Sequence, residues 1–265
     1  MLTITELHHY PIKSCAGLSV DTLSFDEFGP LADRRWLLVD EQGQFVTQRQ
    51  LPRMALIKPF QHDGQWCVET EGHTPLTLLQ PPQNDIRQVR VWRDEMLAQD
   101  MGDEIADWFS TVLQRSVRLV IGCAETERHV DAHYAHVPQP LAFADGFPLL
   151  VIHQASLDFL SEKLGRVMGA ERFRANVVVN GGQPFDELRW SSLRSVSCFE
   201  AYLAMVKPCE RCVIPTRHPT TLVREDDVVS VLKQYCRPSN AIVFGQNAQT
   251  VGLAALHVGD EFSAQ

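Results

Sequence analysis

The sequence predicts a mainly β, α+β chain: a β-barrel-like N-terminal unit, then a second β-barrel unit with peripheral helices. Three observations carry this. Turn signals recur about every ten residues through the first ninety or so. The apolar runs between those turns alternate as strands do. Helical periodicity begins only after residue 102, and strand-like runs continue beyond it to the end of the 265-residue chain.

In the first unit, Trp36–Asp40, a polar turn through Gly43 and Phe45–Gln48 read as a hairpin. Ala55–Phe60 and Trp66–Glu69 around His62–Gln65 read as a second hairpin, followed by strands at Leu76–Leu78 and Gln88–Trp92. From Asp103 to Leu113 the spacing predicts a helix with Ile105, Trp108, Phe109 and Val112 on one face. Leu119–Ile121 is a further strand. Residues 124–140 are polar and His-rich and include Pro138 and Pro140, which marks a loop and a seam between units at 1–122 and 123–265.

In the second unit, Phe147–Ile152 reads as a buried strand and Gln154–Leu164 as an amphipathic helix stopped by Gly165. Val177–Gly182 is a strand entering a turn. Glu225–Asp227 open a helix that runs through Leu232 and ends near Arg237–Pro238, with its acids where the helix dipole favours them. Residues 252–262 read as a final strand pair.

Composition narrows the function. A net charge of −9 argues against nucleic acid as a partner. No basic-then-apolar leader opens the chain, and no run approaches the ~18 apolar residues of a membrane span, so the expected compartment is the cytoplasm. Its seven cysteines are odd in number and scattered, which suits reduced thiols.

Cys212 is the most informative of them. Cys209-x-x-Cys212 could hold structural zinc, but a second ligand pair at matching spacing is missing. A redox pair is open, although Pro215 and Pro219 replace the helix such a pair caps. Two packed thiols are another reading. The remaining one is a single exposed thiolate beside Arg211 that binds a soft metal. A second set is cationic: Lys13 and Ser14 near Pro11, Arg34 and Arg35 before a strand, and Arg172 and Arg174 before Asn176. Singly these are solvated charges; together they suit a phosphate. His129, His133 and His136 share helical spacing, but the neighbouring prolines favour a loop. No Walker A, G-x-G-x-x-G, G-x-S-x-G or H-E-x-x-H sequence occurs.

Five motifs in order then resemble one family: Tyr10-Pro11-Ile12-Lys13-Ser14-Cys15, Asp33-Arg34-Arg35-Trp36 with Thr47-Gln48-Arg49 after it, Arg172-Phe173-Arg174-Ala175-Asn176, Cys209-Glu210-Arg211-Cys212, and Phe244-Gly245-Gln246-Asn247. Over nearly its whole length the chain resembles the MOSC-domain proteins that carry an N-terminal MOSC β-barrel domain. That subgroup includes the mitochondrial amidoxime-reducing component and bacterial reductases of hydroxylaminopurines. The resemblance implies a molybdenum cofactor of the molybdopterin type. In it Cys212 is the protein ligand to the metal. Lys13, Ser14, Arg34, Arg174 and Asn176 hold the pterin and its phosphate, the backbone at Gly146, Phe147, Glu210 and Arg211 lines the pocket, and Asn247 makes the last contact.

The resemblance further implies reduction of N-hydroxylated small molecules: hydroxylamines, amidoximes or N-hydroxylated bases. No cysteine set follows residue 258, so the electrons are expected from a separate ferredoxin- or flavoprotein-like donor. The alternative is a carrier that binds molybdenum cofactor or sulfur without turnover of its own.

Overall fold

A computed structural model describes residues 1–82, 85–237 and 240–265. Its centre is a closed ring of seven strands. In spatial order they are Val177–Asn180, Leu149–His153, Val243–Val251, Tyr202–Glu210, Ser192–Ser195, Glu261–Ala264 and Leu2–His9, which pairs back onto Val177–Asn180. Leu149–His153 and Val177–Asn180 are parallel, joined through helix Gln154–Leu164 and the short helix Ala170–Phe173; the other pairs are antiparallel. Closure leaves no sheet edge open in the ring. The N-terminal strand is therefore a stave of a barrel otherwise built from residues beyond 148.

The Leu149–His153 run is continuously apolar because both faces are covered. Leu149 and Val151 point into the barrel with Val177, Val179, Leu203 and Phe262. Leu150 and Ile152 face outward, under helices Gln154–Leu164 and Asp226–Tyr235, beside Phe173 and Phe244. The helix expected at Asp103–Leu113 occupies those residues and buries Ile105, Phe109 and Val112, while Trp108 is half-buried. In the first unit the strand Trp36–Val39 divides two cores. Trp36 and Leu38 pack with Ile57, Val68 and Phe109, and Leu37 and Val39 with Val89, Val91 and Phe143.

Three expectations need correction. The first hairpin has one arm: Phe45 makes a single bridge to Val39, and the chain turns at Thr47–Gln50, where Gln50 Oε1 accepts from Thr47 N at 2.8 Å. The last two strands do not pair with each other. Ala255–His257 pairs with Thr22–Asp26, and Glu261–Ala264 enters the barrel between Leu2–His9 and Ser192–Ser195. Residues Ala55 and Leu56 sit in a 3-10 turn rather than a strand, so the second hairpin starts at Lys58. The helix opening at Asp226 runs to Tyr235, and the proline expected near its end, Pro238, lies outside the described residues.

The ladder of strands Tyr202–Glu210 and Val243–Val251 carries register shifts at Met205/Lys207 and Pro208/Glu210. Opposite them Gly245 has φ +78°, and an added Cβ would stand 2.8 Å from Ile152 Cγ1 and 2.9 Å from the Val151 carbonyl oxygen. Gly245→Ala is therefore expected to cost about 2 kcal/mol or more of unfolding free energy. Urea denaturation checks this; an unchanged midpoint would remove the packing argument.

Candidate cofactor site

One rim of the barrel gathers the C-terminal end of Leu2–His9 and the N-terminal ends of Leu149–His153 and Val177–Asn180, and Lys207, in the bulged stretch of Tyr202–Glu210, lies level with Leu150 across Asn247. Loops of the first unit cover that rim. Between them lies a cleft of about 120 Å³. Lys13, Ser14 and Arg34 line it from the first unit, Gly146 and Phe147 from the loop before Leu149, and Arg174 and Asn176 from the turn before Val177. Glu210, Arg211 and Cys212 line the facing side with Asn247. The residues that the resemblance assigns to the cofactor thus all line one cleft.

Arg34 is the hub. It donates to the Asp33 carboxylate, to Asn176 Oδ1 at 3.1 Å and to the Arg174 carbonyl at 3.1 Å. Asn176 is saturated: its Oδ1 also accepts from Leu150 N at 3.2 Å, and its Nδ2 donates to the His8 carbonyl at 3.1 Å and to Asp33 Oδ1 at 3.3 Å. Asn176 therefore fixes the walls, and its own amide has no capacity left for a ligand. The Tyr10 ring lies between two guanidiniums, Arg34 at 4.4 Å and Arg174 at 4.3 Å. Three cleft residues hold left-handed backbone: Ser14 at φ 68°, Arg34 at φ 47° and Arg174 at φ 58°. Such strain persists only where surroundings over-determine it.

The inner cations are incompletely used. Arg174 donates to the Cys15 carbonyl at 2.6 Å, yet its buried Nη2 has no partner among the described residues. Burial and the neighbouring Arg34 bring its pKa down to about 10. Arg211 Nε is also buried, with no partner among the described residues. Lys13 is 5% exposed and donates to the Phe143 carbonyl at 2.6 Å and to Asp145 Oδ1 at 2.6 Å. Burial lowers its pKa to about 8 against the pull of Asp145. Two unmet buried N–H groups in a cationic cleft suit an oxyanion ligand.

Arg211 departs from expectation. Its Nη1 donates to Cys209 Sγ at 3.1 Å and its Nη2 to the Phe173 carbonyl at 2.7 Å. The guanidinium thus serves Cys209, which is half-buried, and leaves Cys212 exposed on the rim. There Cys212 Sγ accepts, among the described residues, a single long contact, 3.5 Å from Ile214 N. Two of the nominated cations lie elsewhere. Arg35 pairs with Asp26 and stacks on Phe28 at 4.6 Å, and the buried Arg172 pairs with Glu225 and donates to the Pro215 carbonyl at 3.2 Å.

Sequence reasoning missed the clamp on the Gly146 loop. Buried Arg128 donates to the carbonyls of Ala142, Ala144 and Asp145, with 2.8 Å for Asp145. It also left Thr47, Arg49 and Asp145 of the cleft without a role. Only the folded loops bring these to the rim. His129, His133 and His136 fall in the irregular stretch between Ile121 and Leu149. Among the described residues, no group of three or more His, Cys, Asp or Glu is placed to hold a metal ion.

A β-barrel with a cation-lined rim cleft and a rim cysteine, joined to a second β-rich unit, defines the class. Residues 1–116 match the model of the MOSC N-terminal beta barrel domain and residues 138–263 that of the MOSC domain, and the chain belongs to the MOSC-domain family. Among its relatives is mitochondrial amidoxime-reducing component 1 of Mus musculus, 34% identical over 258 residues that cover 92% of this chain and 75% of that protein. Mitochondrial amidoxime reducing component 2 of Rattus norvegicus is 30% identical, covering 97% of this chain and 82% of that protein. The human molybdenum cofactor sulfurase is 29% identical over 79% of this chain but only 26% of its own length. Among the described residues no helix is long and apolar enough to cross a membrane.

The lowered pKa of Lys13 has a consequence for stability. Its ammonium is disfavoured in the fold relative to the unfolded chain, so at neutral pH it withholds stability that returns only as pH rises from about 8 through the unfolded value near 10.5. In protein freed of bound ligand, Lys13→Met is therefore expected to melt no lower than the wild type at pH 7, with its relative advantage shrinking across that window. Thermal melts at pH 7, 8.5 and 10 check this; a variant that melts well below wild type at pH 7 contradicts it.

Proposed function

We propose that the chain is a molybdenum-cofactor-dependent reductase of N-hydroxylated compounds, re-reduced by a separate electron-donor protein. The supporting observation is the meeting of an exposed rim thiol with two buried, unpartnered guanidinium nitrogens, Arg174 Nη2 and Arg211 Nε, in one cleft. That donor set suits a ligand with a soft metal at one end and an oxyanion at the other. The names of the relatives, amidoxime-reducing components and a molybdenum cofactor sulfurase, point the same way.

In this reading Arg174, Arg211 and Lys13 hold the phosphate and pterin. Cys212 supplies a thiolate to molybdenum, and the backbone at Ser14, Gly146 and Phe147 borders the ring system. Open space at Gly146, where an added Cβ would meet nothing within 4 Å, leaves room for close approach. Asn176 and Arg34 position these groups rather than touch the ligand. Asn247, whose Nδ2 donates to the Lys207 carbonyl at 3.3 Å, closes the floor.

When bound, the cofactor supplies the two-electron step that removes oxygen from an N–OH group. The overall change is R–NHOH plus two protons and two electrons to R–NH2 and water. The protein's share is to exclude bulk water behind Phe147 and Phe173 and to hold the ligand rigidly on barrel strands.

Cys212→Ala is expected to lose amidoxime reduction by at least about a hundredfold, because the metal loses its only protein ligand. Cys209→Ser should keep most of it. Activity assays paired with molybdenum and pterin analysis check both. Wild-type-like turnover by the Cys212 variant would sink the proposal. Full cofactor content in the wild type with no turnover by any competent donor would instead favour the carrier reading.

A further inference from the structure

A cation at the mouth of the cleft is left over once the interior is accounted for. Five basic side chains line the cleft: Lys13, Arg34, Arg49, Arg174 and Arg211. Asp145 answers Lys13, and Asp33 answers Arg34. Among the described residues that leaves Arg49, Arg174 and Arg211 uncompensated by a carboxylate. The last two carry the buried orphan nitrogens and so face the interior. Arg49 is exposed, and it takes part in no ion pair among the described residues. The remaining acid of the cleft, Glu210, is exposed on the opposite rim and makes no ion pair either.

Arg49 is nevertheless held in place. Its guanidinium stacks on the Trp92 ring at 4.4 Å, and its Nε donates to Thr47 Oγ1 at 3.3 Å. Trp92 is fixed in turn. Its indole N–H donates to Asp145 Oδ1 at 3.0 Å, the oxygen that also accepts from Lys13, and its ring packs on Phe45 at 5.0 Å. It sits in the two-residue connection between the paired Val91 and Asp94 with φ 58°, and remains 45% exposed. A bulky residue in left-handed backbone, half in water and tied to the cleft's own carboxylate, is a costly way to build an ordinary turn. What the arrangement provides is a rigid shelf that presents a free guanidinium fork at the cleft mouth.

We propose that Arg49, held by Trp92 and Thr47, is a specificity-determining residue that reads an anionic substituent on the N-hydroxylated substrate. This rests on the reductase reading above. A substrate whose N–OH reaches past the rim toward Cys212 places its far end at the shelf. A carboxylate or phosphate there meets a preorganised bidentate donor, whereas a neutral end meets none. The protein as a whole carries −9, so anionic substrates are repelled at long range and the selection has to be made locally.

The test compares benzamidoxime with its 4-carboxy and 4-phosphonooxy derivatives on the cofactor-loaded protein. The kcat/KM of each anionic substrate relative to the neutral one is expected to fall about tenfold in Arg49→Gln, in line with loss of a charge-assisted contact. It should reverse in Arg49→Glu and recover in part in Arg49→Lys. Molybdenum and pterin content should match wild type in all three. Calorimetric binding of the same compounds gives the parallel ratio of Kd values, so the inference is decided even if turnover is absent and the reductase reading fails. A ratio that does not move in Arg49→Gln, by either readout, overturns it. So does loss of pterin from Arg49→Gln, which assigns the guanidinium to the cofactor instead. A fall for one anion alone retains the residue's role and identifies which substituent it reads.

Discussion

The structure depends on where the Arg34 guanidinium goes. It is the tie between the first unit of the chain and the barrel: its Nη1 meets both Asp33 beside it and Asn176, and its Nη2 meets the Arg174 carbonyl 140 residues later. Charge-assisted hydrogen bonds contribute about 1.5–3 kcal/mol each. Left-handed backbone at a residue with a side chain costs about 1–2 kcal/mol. The network around Arg34 can therefore hold Ser14, Arg34 and Arg174 in conformations that none would adopt alone. Those conformations carry the cleft walls. Asn176 extends the tie by joining the His8 and Leu150 backbones, the ends of two barrel strands.

With the walls fixed, electrostatics divides by depth. Deep cations are desolvated, and two of them have pKa values drawn down, Lys13 to about 8 and Arg174 to about 10. The buried N–H groups of Arg174 Nη2 and Arg211 Nε, unmet among the described residues, are ones that a bound oxyanion would satisfy. Cys209 and Cys212 divide in the same way. The first is held inward by Arg211, and the second stands free on the rim. A spacing that could belong to a redox pair or a zinc knuckle resolves into one positioned neighbour and one available thiol.

Much of this was legible in the sequence, for identifiable reasons. Asp103–Leu113 and Gln154–Leu164 follow helical period and stop at residues in left-handed conformation, Gln114 and Gly165. The two-faced burial of Leu149–His153 shows as a continuous apolar run. The cleft residues were found because motif order survives folding. What escaped notice has the opposite character. Strands Tyr202–Glu210 and Val243–Val251 are rich in Lys207, Gln246, Asn247 and Gln249, so no alternation marks them. Gln249 is buried only because the irregular loop returns to it, accepting from His136 N at 2.8 Å and donating to the Val137 carbonyl at 2.9 Å. The direction of Arg211 was misread because its chain neighbour, Cys212, is not its partner in space.

If the geometry of Arg34, and not merely its charge, organises the cleft, Arg34→Lys is the decisive substitution. Lysine keeps the positive charge but cannot reach Asp33, Asn176 and the Arg174 carbonyl together. The most direct measurement is the pterin content per mole of purified protein, read by fluorescence after oxidative release and set against wild type prepared in parallel. Pterin near background in a folded Arg34→Lys protein is the predicted result; retention at the wild-type level would contradict the account.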